Sequence, residues 1–120
     1  MPNFIKSFRD LDVYKKAFTL SIDIHKTSIG FPKHEQFALT SQMRRASKGI
    51  CANIAEGFAK QQSSKNEFQR FLTIAMGSAT EMQVWVDYAL ELQYIDHSKA
   101  DIWQDGYDHI LKMLQKLHHL

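Results

Sequence analysis

The chain reads as an all-α protein, an antiparallel up-down-up-down four-helix bundle. Three observations predict this. Apolar residues recur at helical spacing in four stretches separated by short breaks. Gly and Pro number only 5 and 2 among 120 residues, about half the roughly 12 % of average usage. No proline follows Pro32. Sandwiches, barrels and disordered tails need turn residues at closer intervals. The expected helices cover about 10–28, 35–59, 65–93 and 97–117, within one domain spanning 1–120.

The first helix carries two apolar stripes. Leu11, Tyr14, Phe18, Ile22 and Ile29 form one, and Val13, Ala17, Leu20 and Ile24 the other. Gly30-Phe31-Pro32 ends it, since Gly suits a helix C-terminus and Pro stops continuation. In the second helix Leu39, Met43, Ala46, Ile50, Asn53 and Gly57 alternate steps of four and three. That is the seam of a bundle, with small residues for close approach and a buried Asn to fix register. Gly49 weakens the helix at its middle.

Ser64-Lys65-Asn66-Glu67 reads as a capping box opening the third helix. There Phe68, Leu72, Ala75, Ala79, Met82, Val86 and Ala89 repeat the seam, flanked by Phe71, Ile74, Trp85 and Leu92. The fourth helix starts at Asp96 or Ser98. Ile102, Ile110, Met113, Leu114 and Leu117 form its core side. Asp96, Asp101, Asp105 and Asp108 precede Lys112 and Lys116, the order that complements the helix macrodipole.

Short connections make successive helices antiparallel. Pairing about a turn near Gln62 sets Arg45 level with Glu81 and Glu56 level with Arg70, which predicts interhelical ion pairs. Apolar residues beyond a single stripe, among them Trp85, Phe71, Leu20 and Ile24, exceed what one bundle buries. That surplus predicts a homo-oligomer.

No apolar run approaches the ~18 residues of a membrane span. Met1-Pro2-Asn3-Phe4-Ile5-Lys6 lacks a signal-peptide core, so a cytoplasmic address is expected. The single Cys51 forms no internal disulfide and has no His at a partner spacing, so it reads as an inert thiol. There is no Gly-x-Ser-x-Gly elbow and no Gly-rich phosphate loop. Asp105 and His109 lie at i, i+4, and His118 and His119 are adjacent, but nothing completes a metal shell. Neither enzymatic activity nor a metal, cofactor or small-molecule substrate is expected.

Charge is more informative. Residues 1–62 carry ten basic and five acidic side chains, a net +5, whereas residues 63–120 carry five and eight, a net −3. Arg44, Arg45 and Lys48 fill one turn of the second helix, Lys60 lies near its end, and Lys15 and Lys16 add charge on the first. Such a patch binds phosphates without reading bases. The expected function is therefore a non-enzymatic oligomer that binds RNA or another polyanion. The alternative is a protein-interaction adaptor.

Several segments in fixed order resemble a known family. They are Phe8-Arg9-Asp10-Leu11-Asp12-Val13-Tyr14-Lys15-Lys16-Ala17, the run from Phe31 to Ala46, Asn53-Ile54-Ala55-Glu56-Gly57, and the run from Glu67 to Ser78. The chain resembles the small bacterial four-helix-bundle proteins encoded in intervening sequences of 23S ribosomal RNA genes. It departs from them at Tyr14 (usually Trp), Ala38 (often Gly) and Cys51 (often Pro). The resemblance implies a homo-oligomer, pentamers being known among relatives. The accessory variability determinant of diversity-generating retroelements looks like a related branch that binds nucleic acid. Carried over by position, the resemblance points to Gln42, Arg44, Arg45, Asn53, Glu56, Arg70 and Glu81. Of these, Gln42, Asn53, Glu56, Arg70 and Glu81 would form a structural polar network.

Overall fold

Helical structure begins at Ser7, whose Oγ accepts from Arg9 N while the Asp10 carboxylate accepts from Ser7 N at 3.0 Å. This capping box closes a 3-10 turn over Phe8–Asp10. Four α-helices follow: α1 Asp12–Ser28, α2 Leu39–Lys60, α3 Lys65–Glu91 and α4 His97–His118. The structure, a computed structural model, describes residues 5–120. Met1–Phe4, part of the segment inspected for a leader, lies outside the described residues. α1 packs on α2 and α4, and α3 packs on the same two, around one core. Among the described residues no helix is long and apolar enough to cross a membrane.

α2 starts at Leu39, four residues later than the spacing suggests. Lys33–Glu35 forms a 3-10 turn instead. The Glu35 carboxylate accepts from Leu39 N at 3.5 Å and from the Tyr94 hydroxyl at 2.7 Å. One side chain thus starts α2 and ties it to the segment after α3. Gln36 Nε2 donates to the carbonyls of Ser28 and Phe31, holding the α1–α2 connection. Ser64 caps α3 by accepting from Glu67 N, but Glu67 turns to Arg70 at 3.4 Å, so the expected box is half made. Asp96 caps α4 through Lys99 N at 2.8 Å.

The core corrects several positions. On α1 the stripe Val13, Ala17, Leu20 and Ile24 is buried, so Leu20 and Ile24 are not surplus. Phe18, Ile22 and Ile29 of the other stripe are exposed. On α2 Ile54 replaces Asn53 in the core, and Asn53 donates to Gly49 O at 2.8 Å along its own helix. On α4 Ile102 is exposed, and Trp103 and Tyr107 are fully buried. A shift of one residue rotates a helix by about 100°; the buried stripe Ala100, Trp103, Tyr107, Ile110 and Leu114 keeps the three-four step, and the Trp103 indole N–H donates to Asp23 Oδ2 at 2.7 Å. Trp85 and Phe71 are half-buried.

The apolar surplus itself persists, on other residues. Ile74, Val84, Tyr88 and Leu92 are exposed along the outside of α3, and Phe37 before α2 is 98 % exposed.

Candidate nucleic-acid interface

The charge division of the sequence becomes a division of the fold. The positive half builds α1 and α2, and the negative half builds α3 and α4. The α1–α2 side is therefore basic and the α3–α4 side acidic.

The six basic candidates do not form one patch. Adjacent residues on a helix diverge by about 100°, and Arg44 and Arg45 separate accordingly. Arg44 and Lys48, at i, i+4, face α1 and come near His25. Partial burial and the positive charges of Lys48 and Arg44 hold the His25 imidazole below its ordinary value near 6.5. Arg44 is half-buried, and its Nε is buried without a hydrogen-bond acceptor. Among the described residues the ion pairs are Arg70–Glu67 and Lys99–Asp23, so Arg44, Lys48, Arg45, Lys60, Lys15 and Lys16 are in none, although Lys15 is close enough to Asp10 to help lower that carboxyl.

Lys15 and Lys16 lie on the opposite flank of α1. They line an open groove of about 790 Å³ against α4, together with Asp12, Asp23 and His109. Acidic groups share that groove, so its local charge is mixed. Lys60 is exposed at the end of α2.

Sequence spacing missed His25. Its neighbours Arg44 and Lys48 come from another helix, which spacing along α1 does not show. Also missed was a ladder of rings beginning at the same face. Phe8 meets Tyr14 edge-on at 4.9 Å, Tyr14 meets Phe18 at 5.8 Å, and the Arg9 guanidinium lies 4.5 Å over Phe8. These rings come from α1 and the 3-10 turn before it, not from the basic turn of α2.

The expected interhelical pairs do not form. Arg70 is taken by Glu67 within its own helix, and Glu56 is exposed without a cation. Arg45 and Glu81 are level, as the register requires, and line one notch between α2 and α3 without touching. The polar network accordingly splits: Gln42, Asn53 and Glu81 meet at this notch, while Glu56 and Arg70 stand apart.

Cys51 is half-buried, and burial pushes its thiol up to about 11. It is protonated and unreactive at neutral pH. Among the described residues no three His, Cys, Asp or Glu side chains gather to hold a metal ion.

Residues 9–116 match the 23S rRNA-intervening sequence protein family. The chain belongs to this family. A crystal structure of a protein of unknown function from the S23 ribosomal protein family of Bacteroides thetaiotaomicron shares its fold. The two are 23 % identical, with a TM-score of 0.78, over 90 % of this chain and 96 % of that one. At that identity the likeness concerns the fold alone. No curated protein matches the chain.

Proposed function

We propose that this 23S rRNA-intervening sequence protein is a non-enzymatic, cytoplasmic homo-oligomer that docks RNA or another polyanion on its α1–α2 side. One observation carries the reading. Arg44 and Lys48 of α2 lie near His25 of α1, and neither cation is in an ion pair. Unpaired cations gathered on one face attract a phosphate. The Phe8–Tyr14–Phe18 ladder adds ring surface along α1 and the 3-10 turn before it.

Fluorescence anisotropy with a structured RNA across a salt series tests this. Affinity should fall steeply with salt, and the double variant Arg44→Ala/Lys48→Ala should flatten the slope by about two. Absence of binding at low salt, or binding indifferent to salt, contradicts the reading.

Association of copies is supported by the outer face of α3, where Ile74, Val84, Tyr88 and Leu92 are exposed. Light scattering gives the subunit count, with a pentamer the favoured outcome. The adaptor reading draws on the fully exposed Phe37. It predicts an apolar surface that survives assembly and a protein that ignores RNA.

A further inference from the structure

We infer that the notch between α2 and α3 accepts one unpaired guanine base of the bound RNA strand. The inference rests on the docking reading above and extends it from charge to base choice.

The notch is about 460 Å³, inside the roughly 300–1,000 Å³ range of small-ligand sites. Small residues make it. Ala46 and Gly49 of α2 face Ser78 of α3, and a Cβ on Gly49 would meet only Ser78 Oγ, at 3.9 Å. Polar groups then ring the space. Gln42 and Arg45 stand on the α2 wall with Asn53, and Glu81 stands on the α3 wall. Arg45 and Glu81 are complementary charges lining one cavity, yet they make no ion pair. Asn53 spends one amide N–H on Gly49 O and keeps the other N–H and its carbonyl oxygen.

This set has the shape of a base reader. A carboxylate accepts but does not donate, and guanidinium donates but does not accept. Guanine supplies both complements: N1–H and N2–H donate side by side to a carboxylate, and O6 and N7 accept from guanidinium. Adenine and uracil each lack the paired donors. Unpaired bases in RNA expose these edges.

The position fits the phosphate cradle. Arg44 serves the α1 side of α2 and Arg45 the α3 side, with Lys48 exposed. A strand crossing α2, a distance of about 10 Å, can place a phosphate at Arg44, Lys48 and His25 and a base at Arg45 and Glu81.

The test is anisotropy at low salt with 12-nucleotide oligouridines carrying one central guanine, inosine or uracil. The wild-type protein should prefer the guanine strand about tenfold over all-uridine, and inosine, which lacks the N2 amine, should lose most of that preference. Glu81→Gln should abolish the preference while retaining uridine-strand affinity. Gly49→Leu, which fills the notch from a helix-favouring residue, should do the same, with folding checked by circular dichroism. Equal affinity for the three strands overturns the inference and leaves the docking reading standing. A preference that survives Glu81→Gln also overturns it. Free GMP that competes as well as the guanine strand overturns the assignment to RNA. No binding of any strand overturns both.

Discussion

The indole N–H of Trp103 donates to Asp23 Oδ2 at 2.7 Å. This contact crosses from α4 to α1 where the two helices leave an open groove. The same carboxylate receives Lys99 Nζ at 3.3 Å on each oxygen. Trp103 is fully buried, so its donor has no recourse to water. Asp23→Ala should destabilise by about 1–3 kcal/mol. Asp23→Asn, which keeps an acceptor, should lose less than half as much. Urea unfolding of the two variants checks the order.

Three glycines should respond in opposite senses. A Cβ at Gly57 would lie 3.0 Å from Phe71 Cβ and 3.4 Å from Phe68 O, both close to backbone and unable to yield. Gly57→Ala should therefore lose about 1–2 kcal/mol by overpacking. A Cβ at Gly77 meets nothing within 4 Å, and Gly77→Ala should gain roughly 0.5–1 kcal/mol from helix propensity. Gly49→Ala should behave like Gly77→Ala. Thermal melts of the three variants decide this.

The end of α3 holds a residue in an unfavourable backbone region. Gln93 has φ 64°. Tyr94 N donates to Ala89 O at 2.8 Å, and Gln93 N donates to Leu90 O at 2.9 Å. That is a Schellman motif, whose left-handed position favours glycine. Gln93→Gly should stabilise by about 1 kcal/mol, measured as a higher urea midpoint at unchanged slope.

Alkaline pH should weaken the fold. Burial pushes the Cys51 thiol up to about 11 and raises the Tyr107 phenol further. In the unfolded chain these groups ionise near 9 and 10. Both acids have raised folded values, so their contribution is complete below pH 9 and is lost as pH rises from there. Cys51→Ala should shrink the loss between pH 9 and 11. Tyr107 Oη is buried with no partner, so Tyr107→Phe should also raise stability at neutral pH by about 1 kcal/mol. Melting temperatures from pH 7 to 11 test both.

The helices were legible because a 3.6 period survives in any window of the sequence. The register of α2 against α3 was legible too: Gly57 meets Phe68 and Phe71, as pairing about Gln62 requires. Contacts across that register were not. Arg70 had Glu67 three residues away and needed no second helix, and small residues between Arg45 and Glu81 left a space that the two side chains do not bridge. The inward stripe of α4, Ala100, Trp103, Tyr107, Ile110 and Leu114, steps 3, 4, 3 and 4, so its periodicity was present and Ile102 was placed one residue off it. His25 escaped notice because its role depends on charges from another helix.

The central claim is that an RNA phosphate sits among His25, Arg44 and Lys48. An NMR titration of His25 with and without a saturating RNA oligonucleotide tests it most directly. In the free protein the imidazole, held below 6.5 by burial and by two cations, should titrate low. A phosphate beside it should raise that value, with binding tightening as pH falls through the same range. A His25 titration unmoved by RNA that is demonstrably bound would contradict the account.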